Sequence, residues 1–342
     1  MNKDCDSILI IDTSAFIFRA FYSVPMMKSS DDMPINAVFG FFSMIFNIIK
    51  NTNAKCIVFA MDSKEKTFWD DLYDYYKSNR VKCPEELAVQ FKILDEGLRS
   101  SGLKYFQVNG LEADDIIATF SLKHFIGLKK IICSKDKDLM QLIKDDEVEM
   151  YDSKTNSMIR QQNVIDKFGI ESRYISDYLA LVGDSSDNIP GAKNIGPKKA
   201  CDLIKKYGSI EAIYNTIETK SHNNKDYQIE DKITDLLLQS KDSVLLSKQL
   251  TSFYIHNFNQ NDFININDFN ISKIDNIGLE SFFIKYKIPS LIGKLKSINK
   301  TSTDAKSIHQ TQNPHIPQNT KDNITFNHNK KPSILALQDE LF

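Results

Sequence analysis

Three short apolar runs that each lead into an aspartate constrain this chain more than any other feature. Residues 8–11 stop at Asp12, residues 56–61 stop at Asp62, and residues 130–133 run towards Asp136. Apolar runs of this length bounded by polar residues read as buried strands. The stretches between them are long enough for crossover helices, which implies a parallel α/β sheet. Ligands of such sheets gather beyond the carboxyl ends of the strands, where this chain places acid.

With 342 residues, 42% of them hydrophobic, the chain can bury one large core or two modest ones. A net charge of -2 argues against a uniformly basic wrapper of nucleic acid, so affinity for phosphate must come from local patches. Cys5, Cys56, Cys83, Cys133 and Cys201 are odd in number and widely spaced, with no C-x-x-C pair for zinc or disulfide exchange, which fits a reducing cytoplasm. Residues 1–7 lack the basic and apolar regions of a signal peptide. The longest apolar run, residues 37–49, is shorter than the roughly 20 residues that span a bilayer and reads as a buried helix. The expectation is a cytoplasmic monomer with no membrane partner.

Residues 1–162 carry the α/β pattern. Within them, residues 64–87 interleave Phe68, Trp69, Tyr73, Tyr75 and Tyr76 with Lys64, Lys66, Lys77, Arg80 and Lys82. Such a segment can stack on bases while its cations follow a backbone, or it can be an amphipathic helix with a solvated charged face. Residues 163–290 turn helical, with Gly-rich breaks at 191–196 and at Gly208. Residues 291–342 become polar and Asn-rich and read as a disordered tail.

Candidate metal ligands are Asp12, Asp62, the cluster Glu112, Asp114 and Asp115, the pair Asp136 and Asp138, and the pair Asp184 and Asp187. Hard divalent cations take oxygen ligands, and two-metal phosphodiester hydrolysis needs several carboxylates converging on one point. Singly, each acid has an ordinary use as a helix cap or turn former. Acid-terminated strands together with acidic clusters are harder to dismiss.

The segments I-I-D-T-S-A-F-I-F-R-A-F, K-T-F-W-D-D-L-Y, E-A-D-D-I-I-A, D-K-D-L-M-Q-L and G-D-S-S-D-N-I-P-G resemble, in order, the 5′-nuclease domain of bacterial DNA polymerase I. That family belongs with the flap endonucleases. The resemblance implies a PIN-like parallel sheet flanked by helices with a helical arch at about 64–87, then a helix-three-turn-helix subdomain. It implies two Mg2+ ions, with Mn2+ as an alternative, on all nine acids named above. It assigns Lys77 and Arg80 to the arch, as cations that stabilise the scissile phosphate, and Arg19 to DNA binding. The segment at about 188–207 is similar to the family's hairpin, with Gly191, Asn194, Gly196, Lys198 and Lys199 facing duplex phosphates and a K+ ion held by backbone carbonyls. Implied partners are DNA with 5′ flaps or nicks and RNA–DNA primer junctions.

Three features depart from the family pattern. Lys193 and Asn194 replace a Pro and a Gly of the hairpin, and Asn tolerates the left-handed backbone such a turn needs. Trp69 stands where an Arg is usual, and could stack on a base but not pair with phosphate. Lys135 stands for a Gly next to the acids. The expectation is a stand-alone nuclease without the polymerase, in which Gln338, Leu341 and Phe342 resemble peptides that bind the bacterial sliding clamp. Trp69 and the altered hairpin also leave open a non-catalytic junction-binding protein of the same fold. An RNA-processing PIN nuclease is disfavoured, since it would not need the hairpin.

Overall fold

The computed structural model describes residues 5–219, 229–258, 265–303 and 324–326. Its sheet runs β6-β5-β4-β1-β2-β3-β7, made of β1 (Ser7–Asp12), β2 (Cys56–Met61), β3 (Tyr105–Val108), β4 (Lys129–Cys133), β5 (Val148–Asp152), β6 (Ser157–Ile159) and β7 (Ile324–Phe326). Every pairing is parallel except β5 with β6. The three acid-terminated runs are therefore central neighbours, β4-β1-β2, and all three release their chain at one edge.

Helices cover both faces, which is why β1 is apolar without alternation. Ile8 and Ile10 join one core cluster and Leu9 and Ile11 the other. The second cluster is filled by α1 (Thr13–Ser23), α2 (Asn36–Thr52) and α4 (Glu85–Ser101). α2 is the buried helix expected at residues 37–49. The first cluster takes α5 (Ala113–Lys123) and the helices α6 (Gln161–Phe168), α7 (Ile175–Val182), α8 (Pro197–Tyr207), α9 (Ile210–Glu218), α10 (Asp231–Gln239) and α11 (Lys241–Thr251).

The helical stretch does not stay on one side. α12 (Asn276–Lys285) and α13 (Ser290–Thr303) cross back to the α2 face, where Phe283 lies 5.3 Å from Phe42 and 6.2 Å from Phe46 between ring centroids. Residues 64–87 form neither a continuous amphipathic helix nor a helical arch. Only α3 (Phe68–Leu72) and the start of α4 are helical, and the residues between them are turns and extended chain. Thr67 and Asp70 form a capping box that starts α3, Tyr73 is extended, Lys77 adopts a left-handed φ of 51°, and Pro84 precedes α4.

Cys5 and Cys56 are joined in a disulfide, a pairing their separation of 51 residues does not announce and the neighbouring strands β1 and β2 bring about. In the segment expected to lack structure, β7 pairs with β3. The peptide carrying Gln338, Leu341 and Phe342 lies outside the described residues. Among the described residues no helix is long and apolar enough to cross a membrane.

Because Phe283 is fully buried where α12 meets α2, Phe283→Ala is expected to lower the unfolding free energy by about 3–5 kcal/mol in a denaturant titration. A loss within error of zero would show that α12 is not part of the core.

Candidate metal centre and nucleic-acid interface

The shared strand edge collects the acids. Asp12 ends β1 level with Ala60, and Ile11 pairs with Cys133, so the residue after β4, Ser134, falls beside Asp12. Ser134 Oγ donates to Asp12 Oδ2 at 2.7 Å, and Asp12 Oδ1 caps α1 by accepting from Ala15 N at 3.0 Å. Asp62 follows β2 and accepts from Ala113 N at 2.8 Å, tying it to the start of α5, where Glu112, Asp114 and Asp115 sit. Asp136 accepts from Asp138 N at 2.9 Å in the loop after β4, and Asp138 opens a 3-10 turn, Asp138–Leu142. Asp184 and Asp187 lie in a tight loop after α7, closed by Asp184 N to Ile189 O at 2.9 Å and Ile189 N to Asp184 O at 2.8 Å.

Gathering these groups has an electrostatic consequence. Burial, followed by repulsion from Asp62, pushes the Asp12 carboxyl up to about 7. Burial and then Asp136 do the same to Asp138, again to about 7. Burial with Asp136 and Asp12 holds Asp114 well above the usual carboxylate range. Carboxylates that resist ionising because they are buried beside one another form a site short of positive charge. Asp138, Asp184 and Asp187 each offer an oxygen within 4.8 Å of the others, and Asp138 Oδ1 is buried with no hydrogen-bond partner. These residues fit divalent cations, the chemistry their oxygen-only donor set favours.

Asp115 is set differently from the rest. Its Oδ2 accepts from Trp69 Nε1 at 3.0 Å and Glu112 N at 3.2 Å, and its Oδ1 accepts from Tyr254 N at 2.9 Å. It ties α5 to α3 and to the chain after α11. Trp69 is only 3% exposed and packs edge-on to Phe68 at 5.1 Å, so the stacking on bases considered from sequence is ruled out by burial. An indole N–H still supplies a donor to the Asp115 carboxylate.

Lys77 and Arg80 come down over the acids. Lys77 Nζ is 2.6 Å from Glu112 Oε2, and Arg80 reaches Asp187 Oδ1 at 2.6 Å. Lys77 N donates to Asp187 O at 3.0 Å, Asn79 Nδ2 to Ser185 O at 2.6 Å, and Asn188 Nδ2 to Tyr75 O at 2.8 Å, so residues 75–80 form a strap across the acidic loop. Sequence reasoning missed Ser134, Tyr76 and Lys137. Tyr76 donates to Glu112 at 3.2 Å, and Lys137 pairs with Asp184 at 2.8 Å. Burial would raise the Asp184 carboxyl, but Lys137 and Ser186 together hold it below its ordinary value. Lys137 was visible between two candidate ligands in the D-K-D segment; nothing marked Ser134.

Arg19 lies apart from the acids, its guanidinium donating to Ser153 Oγ in the β5–β6 turn. In the hairpin, Asn194 takes φ 63° as the turn requires. Gly191 has φ 67°, and a Cβ there would sit 2.4 Å from Gly183 N. Gly191 N donates to Ser247 Oγ at 2.9 Å, bracing the hairpin against α11. Gly196 precedes Pro197 at the first position of α8, whose leading amides have no side-chain cap, with Lys198 and Lys199 exposed beside them. Such an end favours anions.

Residues 7–169 match the 5′-3′ exonuclease N-terminal resolvase-like domain, and residues 170–276 match the 5′-3′ exonuclease C-terminal SAM fold. The chain belongs to the 5′-3′ exonuclease family. The 5′-3′ exonuclease of Aquifex aeolicus is 39% identical over 216 residues, covering 62% of this chain and 73% of that protein. DNA polymerase I of Borreliella burgdorferi is 32% identical over 317 residues, covering 91% of this chain but 32% of the polymerase. The chain thus spans about a third of that relative. Among solved structures, the T5 D15 protein co-crystallised with metal ions superposes with a TM-score of 0.58 at 19% identity, covering 86% of this chain and 99% of that one. Human GEN1 in complex with Holliday junction DNA gives 0.55 at 13% identity, covering 87% and 73%. At these identities the structures show a shared fold.

For this exonuclease, the raised acids set a pH dependence. Asp12 and Asp138 titrate near 3.8 when unfolded and near 7 when folded, so the native state binds more protons between those values. In chelator, melting temperature is expected to fall as pH rises from about 4 to about 7 and then to flatten; added divalent cation should raise it most above pH 7. A melting temperature that rises with pH over that window would contradict the mutual repulsion. Separately, Trp69→Phe removes the indole donor from the buried Asp115 oxygen and is expected to cost about 1–3 kcal/mol in a denaturant titration.

Proposed function

We propose that this nuclease hydrolyses phosphodiesters near the 5′ ends of DNA flaps and nicks, including RNA–DNA primer junctions, with two Mg2+ ions that Mn2+ can replace. The observation that carries the reading is that carboxylates from β1, β2, the start of α5, the loop after β4 and the loop after α7 act on one another electrostatically, with Asp138, Asp184 and Asp187 close enough to share an ion. Asp12, Asp62, Glu112, Asp114 and Asp136 would hold one ion, and Asp138, Asp184 and Asp187 the other. When bound, such ions supply an activated water and neutralise charge on the leaving oxygen.

The chain's own side chains do the rest. Lys77 and Arg80 are held at the acids by Glu112 and Asp187, so a phosphate arriving there finds two cations placed to take its developing negative charge. Asp115 acts at one remove, fixing the start of α5 through Trp69 and Tyr254. The first turn of α8 with Lys198 and Lys199 would grip duplex phosphates, with a K+ ion in the hairpin and Gln338, Leu341 and Phe342 as a clamp tether in a monomeric cytoplasmic enzyme. The non-catalytic alternative loses its motive, because Trp69 is buried and Asn194 preserves the left-handed turn.

The test is a 5′-labelled flap duplex incubated with purified protein. Cleavage is expected with Mg2+ and none with chelator, and Asp138→Asn is expected to reduce the rate by at least about 100-fold while the fold persists. Binding without Mg2+-dependent cleavage would establish the non-catalytic reading instead.

A further inference from the structure

One hydroxyl joins acids that come from different elements. Asp12 ends β1, whereas Asp136 and Asp138 follow β4. The two strands are in register up to Ile11 and Cys133, which makes Ser134 the first residue beyond their pairing. Its Oγ donates to Asp12 Oδ2 at 2.7 Å and accepts from Asp136 N at 3.1 Å. The series of bonds continues at both ends, since Asp136 Oδ1 accepts from Asp138 N at 2.9 Å and Asp12 Oδ1 accepts from Ala15 N at 3.0 Å. Both oxygens of Asp12 are thereby committed, and the plane of its carboxylate is fixed against the loop that carries the other two acids. A serine hydroxyl has one proton to give and lone pairs to receive an amide, so a single side chain can serve both partners. Ser134 is 4% exposed, although it backs onto a cleft of about 650 Å³ that Arg19, Lys135, Lys154 and Lys167 share. Water therefore has little access to stand in for the hydroxyl.

Resting on the nuclease reading above, we propose that Ser134 is a positioning residue for the reaction: by bridging Asp12 and Asp136 it sets the spacing of the carboxylates that would hold one of the two divalent ions. It acts through the acids and not on the phosphate. Without it, one oxygen of Asp12 and the amide of Asp136 lose their shared partner, and repulsion among the buried carboxylates is free to turn Asp12 and shift the loop. Groups that orient metal ligands in this way commonly carry about 10–100-fold of metal affinity or activity.

The experiment titrates Mn2+ into the purified full-length protein without DNA, by calorimetry, for wild type, Ser134→Ala, Ser134→Thr and Ser134→Val. Threonine keeps the hydroxyl, and valine has the same shape without it. Ser134→Ala and Ser134→Val are expected to weaken the binding of one Mn2+ ion by about 10–100-fold, and Ser134→Thr to recover most of that loss. On the 5′-flap duplex, kcat should fall for the alanine and valine variants with KM for DNA unchanged, and excess Mn2+ should restore part of it. A merely structural role would lower the melting temperature in chelator and leave the Mn2+ affinity of the folded protein where it was. Affinity of Ser134→Ala equal to wild type, or of Ser134→Thr no better than Ser134→Val, overturns the role of Ser134 while wild-type cleavage keeps the nuclease reading. Wild type that neither binds Mn2+ nor cuts the flap overturns both.

Discussion

Negative charge crowded at one edge of a parallel sheet is the constraint from which the rest of this structure follows. A lone buried carboxylate would shift its pKa and stay neutral; here Asp12, Asp114 and Asp138 are raised by burial and by neighbouring carboxylates, with Asp136 common to all three. The protein tolerates this because the backbone and nearby hydroxyls fix each group where it stands. Ser134 and Ala15 hold Asp12, Ala113 holds Asp62, and the amide of Asp138 holds Asp136. Strain of this kind at a strand edge reduces stability in exchange for a site that demands cations.

The surrounding cations answer the same demand in part. Lys77, Arg80 and Lys137 each pair with one acid, Glu112, Asp187 and Asp184 in turn. Two of them come from the strap, a segment held by few apolar contacts and several polar ones to the loop it covers. Phe68 and Trp69 at the base of the strap are anchored in a small apolar cluster that Tyr76 joins. The strap thus has an apolar foot, which Tyr76 shares, and a polar grip on the acidic loop.

Much of the site was legible in the sequence because strands advertise themselves by apolar runs and acids by their side chains. Asp12, Asp62 and Asp136 each follow such a run, and their convergence needs only that the strands be parallel neighbours. The turn at Asn194 was readable for a similarly local reason, since few residues take a positive φ at low cost. Trp69 was not readable, because whether an aromatic stacks outward or packs inward depends on partners such as Asp115, which is 46 residues away.

What the amino-acid order settled by itself was the three central strands, the acids that follow them and the chemistry those acids favour, all set by patterns within a few residues. Tertiary packing alone decided that α12 and α13 return to the first half of the chain, that Cys5 meets Cys56, and that Arg19, Lys135, Lys154 and Lys167 share one cleft. Those outcomes bring together residues whose separation along the chain carries no periodic signal. Only the closing of the fold, driven by burial of apolar faces that have no local record of their partners, could place them.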